Sequence, residues 1–288
     1  YNMNDNTKLD KFYTKNNIVE LCTTNINNVL NIDYKKDLVI EPSVGNGSFI
    51  NSINKLCKNK IFIELDRSHE QSLYNKYKFK KNELIFLDYL DFDYYNIKNI
   101  YNNIHVVGNP PFGTKSSQAI KFIKHSCKFC DSFSFILPKS FKKDSLIEKI
   151  PENFHNLLTI DLSLNSFFYN NINYNVPCIF VIYIKKNYIR ENIIKNIPND
   201  FIFVKKYKPH DISIRRVGCK TGYTDLSVNS ENKSEQSHYF IKFLKTNINN
   251  DIIIKLNNIT NLECIQNTVG QKSISKNELI KFINDLNI

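Results

Sequence analysis

Apolar residues along this 288-residue chain fall into two rhythms. The first is helical: Ile18, Val19, Leu21, Cys22, Ile26, Val29 and Leu30 lie largely on one face of a predicted amphipathic helix. The second is a series of short continuous apolar runs, each closed by a polar or turn-forming segment. Leu38-Val39-Ile40, Ile61-Phe62-Ile63, Leu84-Ile85-Phe86-Leu87 and His105-Val106-Val107 predict four strands buried on both faces. Residues 49–56 and 118–129 read as intervening helices, and runs at 133–138, 157–164 and 178–184 add three further strands. Apolar strands separated by helices predict an α/β fold around a parallel sheet.

After residue 185 the pattern weakens. Residues 201–204, 212–214, 239–244 and 252–256 predict short strands, with polar breaks such as 229–237 between them. Ser275-Lys276-Asn277-Glu278 has the form of a capping box opening a last helix that carries Leu279, Ile280, Phe282, Ile283 and Leu286. Two regions are therefore expected, a large α/β domain over 1–185 and a small mixed unit over 186–288.

The candidate chemistry gathers at the strand ends. The first apolar run leads into Glu41-Pro42-Ser43-Val44-Gly45-Asn46-Gly47-Ser48-Phe49. Two glycines one residue apart let the backbone pass close beneath a ligand. A dinucleotide loop would show a third glycine, and Glu41 would repel a pyrophosphate, whereas it suits a cationic amino group. The second run ends in Glu64-Leu65-Asp66, where carboxylates can accept hydrogen bonds from ribose hydroxyls. The third ends in Asp88-Tyr89-Leu90-Asp91. The fourth runs through Gly108 into Asn109-Pro110-Pro111-Phe112-Gly113. There two prolines stiffen the turn, a carbonyl and a side-chain amide can accept both hydrogens of a planar amino group, and an aromatic ring offers a stacking face. Thr14, just before the first helix, is placed either to cap that helix or to meet a ligand.

Glu-Pro-Ser-x-Gly-x-Gly-x-Phe at 41–49 and Asn-Pro-Pro-Phe at 109–112 resemble the motifs of class I S-adenosylmethionine-dependent amino-methyltransferases, which methylate the exocyclic N6 of adenine. The resemblance covers about residues 10–185. It implies a Rossmann-like seven-stranded sheet, mostly parallel with the last strand antiparallel, and S-adenosylmethionine as cofactor, leaving S-adenosylhomocysteine as product. It implies a cofactor site of Phe12, Tyr13, Thr14, Glu41, Pro42, Ser43, Gly45, Gly47, Phe49, Glu64, Leu65, Asp88, Tyr89 and Asn109. Within it Glu64 faces the ribose, with Asp66 a possible assistant, and Asp88 faces the adenine amino group. Asn109, Pro110, Pro111 and Phe112 form the implied catalytic turn. Phe112 and either Phe167 or Phe168 would hold the target base between them, with Lys115 a further substrate contact. Outside the resemblance, the basic turn Arg215-Arg216 with Lys220 close by is the most concentrated candidate for contacts to substrate phosphates. The motif order matches enzymes of this kind with a C-terminal recognition domain, and no metal is called for.

Charge and cysteine content narrow the partners. The net charge of +11 divides into +4 over residues 1–184 and +7 over 185–288, so the excess sits in the final third and suits a polyanion such as nucleic acid. Seven unevenly spaced cysteines, and no secretory leader in the sequence given, lead us to expect a reduced intracellular protein, in cytoplasm or nucleus. Cys127 and Cys130 have the spacing of half a zinc site without a second pair at a usable distance. No apolar run approaches the ~18 residues of a membrane span. The leading expectation is sequence-specific methylation of DNA adenine, with an associated restriction enzyme as a possible partner. Ribosomal or cap RNA is the alternative, because Asn-Pro-Pro-Phe-Gly-Thr-Lys at 109–115 also resembles small ribosomal RNA adenosine methyltransferases. A protein-glutamine substrate fits less well, since those enzymes usually end the turn in Tyr, and a non-catalytic binding subunit would be expected to carry damaged motifs.

Overall fold

The computed structural model describes residues 12–169, 172–245 and 248–287. It divides into two compact units: one runs through Phe141 and resumes over Ser145–Glu191, and the other takes Lys142–Asp144 and Asn192–Ile288. The second unit thus begins at Asn192, a little beyond the weakening of the apolar pattern, and includes three residues from the middle of the chain.

In the first unit, β1 (Tyr13–Thr14) leads into α1 (Asn16–Val29), and β2 (Leu38–Glu41), α2 (Ile50–Leu56), β3 (Asn59–Glu64), α3 (Glu70–Lys76) and β4 (Leu84–Phe86) follow. Then come β5 (Ile104–Gly108), α4 (Ser117–Ser126), β6 (Ser132–Pro138), α5 (Asp144–Ile147), β7 (Phe154–Asp161), β8 (Phe167–Tyr169), β9 (Ile172–Tyr174) and β10 (Cys178–Lys185). Seven strands form one sheet in the order β4-β3-β2-β5-β6-β10-β7. Neighbours from β4 to β6 pair in parallel, and β10 is antiparallel to both β6 and β7. This is the seven-stranded methyltransferase sheet.

Alternation along each strand explains the unbroken apolar runs. Val39, Phe62, Val107 and Ile136 pack with Ile18, Val19, Cys22 and Ile26 of α1 on one face. Leu38, Ile40, Ile63, Val106 and Phe135 pack with Ala119, Phe122 and Ile123 of α4 on the other. A strand covered on both sides has no solvent face to mark with polar residues. Thr14 does not cap α1: the cap position falls on Lys15, without a side-chain bond, and Thr14 lies in β1 instead. Strands β1, β8 and β9 make a separate small sheet, with Tyr13 opposite Phe168 and Thr14 opposite Phe167.

At the N-terminal edge of the main sheet a buried polar network ties three strands together. His105 of β5 bridges Ser132 of β6, 2.7 Å from Nδ1, and Asp37 before β2, 3.2 Å from Nε2. Asp37 also accepts from the backbone of Asp33 and Asn103 and from the Asn103 amide. Every polar atom of this group is used inside a dry region, where a missing partner is costly.

The second unit adds β11 (Phe201–Val204), β12 (Ile212–Arg215), β13 (Thr224–Leu226), β14 (His238–Phe243), α6 (Asn250–Asn257), α7 (Glu263–Gln266) and α8 (Lys276–Asp285). Its sheet runs β11-β14-β12-β13, all antiparallel, over a core that includes Phe201, Ile212, Ile214, Ile241, Leu256 and Leu279. Residues 252–256, expected as a strand, form α6. The Asn249 side chain caps it by accepting from Ile252 N–H, and Ile252 and Leu256, one helical turn apart, both enter the core. Burial of that stripe outweighs the weak helix preference of three consecutive isoleucines. The capping box of α8 forms as written, Ser275 and Glu278 each accepting from the other's backbone N–H. No helix among the described residues is long and apolar enough to cross a membrane.

Replacing Asp37 by Ala should lower stability by about 3 kcal/mol, since it strands His105 and two backbone donors. Burial holds His105 below its ordinary 6.5. Burial opposes ionisation of Asp37, but its hydrogen bonds from Asp33, His105 and Asn103 prevail and hold it below 3.8. Both shifts make the protein less stable as pH falls, His105 from about 6.5 downward and Asp37 from about 3.8 downward. Thermal unfolding of wild type and variant at neutral and mildly acidic pH checks both points.

Candidate active site

A pocket of about 630 Å3 opens at the C-terminal ends of β2, β3, β4 and β5. Of the residues expected there, Phe12, Tyr13, Thr14, Glu41, Pro42, Ser43, Gly45, Phe49, Glu64, Leu65, Asp88, Tyr89, Asn109 and Pro111 all line it. Parallel strands make this possible, because each ends at the same edge and hands its loop to the same crevice.

The loop after β2 is held by the end of β3. Val44 N–H donates to the Ile63 carbonyl at 3.0 Å, and Gly45 N–H donates to Glu64 Oε2 at 2.6 Å. Glu64 Oε1 accepts from Asp66 N–H at 2.7 Å, so this carboxylate is oriented by two backbone donors and keeps a lone pair on each oxygen for a ligand. Asp88 Oδ1 accepts from Leu90 N–H at 2.9 Å, which fixes the turn beyond β4.

Glu41 is different. It is 1% exposed, and its Oε2 is buried without a hydrogen-bond partner among the described residues. Burial, and then the charge of Glu64, push its carboxyl well above the usual range. A buried acid in that state is a receptor for a cation.

Asn109 lines the same pocket. Its Nδ2 donates to the Phe12 carbonyl at 3.3 Å and to Thr14 Oγ1 at 3.2 Å, and its backbone carbonyl accepts from Ser43 Oγ at 3.1 Å. A carbonyl cannot donate, so the amide nitrogen must face Phe12 and the oxygen must face away. That oxygen is buried and has no partner among the described residues.

Several expected residues take other places. Gly47 does not line the pocket: at φ +84° a Cβ there would lie 2.6 Å from the Tyr77 ring and 2.9 Å from Ile50, so packing beneath the loop demands the glycine. Tyr89 reaches the pocket, but its hydroxyl is bonded to Ser126 Oγ at 2.6 Å in the core. Phe112 is half-buried against the α1 side of the core. Phe167 is 1% exposed and belongs to that core, so it is not available to stack on a base. Phe168 points the other way, as the next residue of a strand must, and its ring lies 5.7 Å from that of Tyr13. Lys115 is exposed, with a left-handed backbone at φ 52°, and is not among the lining residues. Arg215, Arg216 and Lys220 belong to the second unit.

The lining also includes His69, Leu87, Thr114, Ser117, Gln118 and Lys121, which sequence reading passed over. Ser117, Gln118 and Lys121 lie on α4, and the only signal for them was their position just beyond the proline turn. Cys127 and Cys130 are buried thiols, raised by burial, and among the described residues no three His, Cys, Asp or Glu come together as a metal site.

The model for ribosomal RNA adenine dimethylases matches residues 4–161, more than half of the chain. The chain belongs to this family. It is a class I S-adenosylmethionine-dependent N6-adenine methyltransferase with a C-terminal subdomain, it takes its methyl group from S-adenosylmethionine, and it binds nucleic acid. A partnerless buried carboxylate at Glu41, in a pocket of this size, fits a cationic cofactor of that kind.

Among solved structures, a candidate RNA methyltransferase from Pyrococcus horikoshii is 17% identical with a TM-score of 0.51, covering 64% of this chain and 90% of its own. An rRNA methylase from Streptococcus thermophilus is 16% identical with a TM-score of 0.41, covering 58% of this chain and 95% of its own. A dimethyladenosine transferase from Plasmodium falciparum is 17% identical with a TM-score of 0.41, covering 60% of this chain and 62% of its own. At these identities the first is a likeness of fold. No curated protein matches the sequence. The family match overturns the expectation of a DNA methyltransferase, because the family is one of ribosomal RNA enzymes. A restriction-enzyme partner has no ground apart from that DNA reading.

Glu41→Gln should weaken S-adenosylhomocysteine binding at least about tenfold, as loss of a charge-assisted hydrogen bond does. The same change should raise the melting temperature of the ligand-free protein near neutral pH, because a carboxyl held above its ordinary value costs stability as pH rises through that value. Cofactor affinity of the wild type should rise with pH as the Glu41 carboxyl ionises, while that of the variant stays flat, read by calorimetry across pH. Gly47→Ala should destabilise by about 2 kcal/mol or more, through Tyr77, in chemical denaturation.

Proposed function

We propose that this enzyme methylates the N6 amino group of adenine in RNA, with ribosomal RNA as the substrate class. The observation that carries the reading is the Asn109 amide, whose donor end is tied to Phe12 and Thr14 while its buried acceptor end has no partner among the described residues. The family supplies the choice of RNA.

The lone pair of an adenine amino group is delocalised into the ring, so the group is a poor nucleophile. In this reading Asn109 Oδ1 accepts one amino hydrogen and the Pro110 carbonyl the other. Both acceptors favour a pyramidal nitrogen and take up the positive charge that builds there as it attacks. Pro110 and Pro111 keep the two acceptors at a fixed spacing, so little ordering is left for the bound state. S-adenosylmethionine, when bound, supplies an electrophilic methyl on a sulfonium. Glu41 holds the cationic end of the cofactor, and the Glu64 and Asp88 carboxylates receive its ribose and its adenine. Phe112 and Phe168 stack on the target base, with Tyr13 supporting Phe168. A single-stranded or looped adenine enters such a site at less cost than one in a duplex, which must first be unstacked at about a few kcal/mol.

Asn109→Ala should cut methyl transfer by about a hundredfold or more while largely retaining S-adenosylhomocysteine affinity. Thr14→Val removes one acceptor from the amide and should lower kcat about tenfold, with a smaller effect on KM. Equal loss of turnover and cofactor affinity in the Asn109 variant would count against its role. Labelled methyl transfer to matched pools of RNA and DNA, followed by nucleoside mass spectrometry, should yield N6-methylated adenosine in RNA. Label in DNA alone would overturn the reading.

A further inference from the structure

A second pocket, of about 310 Å3, lies in the C-terminal unit and is lined by Cys219, Lys220, Thr221, Tyr223, Thr260 and Lys272. We propose that it holds one nucleotide of single-stranded RNA, with Lys220 and Lys272 on the phosphate and Tyr223 beneath the base. The proposal rests on the RNA reading above and deepens it.

Three observations carry it. The first is charge. Asp200, Asp211, Asp225, Glu235, Glu263 and Glu278 are each paired to a lysine elsewhere, namely Lys245, Lys242, Lys233, Lys205, Lys142 and Lys143. Lys220, Lys272 and the nearby Arg215 have no acidic partner among the described residues. Unpaired cations gathered at a concavity create a positive potential suited to a phosphate.

The second is rigidity. The Thr221 hydroxyl lies 2.7 Å from the Gly218 carbonyl and 2.9 Å from the Lys272 carbonyl, and Gly218 N–H donates to that same Lys272 carbonyl at 2.9 Å. Gly222 N–H donates to the Arg215 carbonyl at 2.7 Å, and Arg215 N–H donates to the Tyr223 carbonyl at 2.9 Å. At Gly222, φ +91°, a Cβ would lie 2.9 Å from the Thr260 nitrogen, so the loop is pressed backbone to backbone against its neighbour. The two segments that carry Lys220 and Lys272 are thus stapled together, and a ligand need not order them.

The third is the aromatic. Tyr223 is 48% exposed although its backbone is tied into the loop, and it shares the pocket with both lysines. A half-exposed ring beside cations is the arrangement that accepts a base and its phosphate together. Arg216 contributes less, since its guanidinium is already 5.1 Å above the Tyr239 ring.

The test uses the whole chain with S-adenosylhomocysteine, a fluorescein-labelled single-stranded 12-mer RNA read by anisotropy over a salt series, and a nucleoside 5′-monophosphate as competitor. Lys220→Ala with Lys272→Ala should make the slope of log affinity against log salt shallower by about 0.7, the value for the one phosphate no longer neutralised. Tyr223→Ala should weaken binding about tenfold with the slope unchanged, and Tyr223→Phe should restore it. All three side chains reach solvent, so melting temperature and S-adenosylhomocysteine affinity should stay at wild-type values. RNA affinity and slope unchanged in these variants would overturn the proposal. Tight competition by the free monophosphate would overturn it in favour of a small-nucleotide site. If the wild type methylates no RNA, the functional reading fails, and the anisotropy data still decide the pocket.

Discussion

The amide of Asn109 can face only one way. A main-chain carbonyl from Phe12 and a hydroxyl from Thr14 take its nitrogen, and the oxygen is left as a buried acceptor in the pocket wall. That constraint reaches across the unit. Phe12 and Thr14 are in place because β1 pairs with β8, and Lys15 N–H donates to the Ser166 carbonyl. The chain that precedes α1 is therefore tied to the segment between β7 and β10 and to the turn after β5, three parts remote in sequence. Orientation set in this way costs nothing at the moment of reaction.

Glu41 carries the opposite kind of tension. A carboxylate oxygen without a partner in a dry wall destabilises the ligand-free protein, and the same feature makes the site selective for a positively charged ligand. The cost falls at the C-terminal edge of the sheet, while the N-terminal edge is secured by Asp37, His105 and Ser132, whose polar atoms are all used. One edge is satisfied and the other poised. Parallel strands separate the two tasks, since β2 to β6 all begin at one edge and end at the other.

The second unit is built on a different plan, an antiparallel sheet with helices over one core. Most of its acids are used in local ion pairs, which leaves a cluster of cations at the Gly218–Gly222 loop without any large net charge being required. The placement of charge matters more there than its sum, because a phosphate senses the few groups within a Debye length.

Much of the first unit was legible in the residues. Runs such as Leu38-Val39-Ile40, alternating with helical stretches, read as strands covered on both faces, and acids or Asn-Pro-Pro-Phe at the ends of parallel strands meet at one sheet edge. Other features were decided by tertiary packing. Whether Phe167 or Phe168 could meet a base depended on which of two alternating positions faced the core. Thr14 gave up a helix cap for Asn109, residues 252–256 became a helix because Asn249 and a core-facing stripe outweighed three β-branched residues, and Gly47 answers to Tyr77, thirty positions away. The chain alone determined the strands of the first unit's parallel sheet and the order of the chemistry at their ends, and the resemblance of its motifs gave the nature of the cofactor. Side-chain orientation and the partners of buried polar groups belonged to the tertiary structure, because both depend on atoms distant in sequence that no local pattern records.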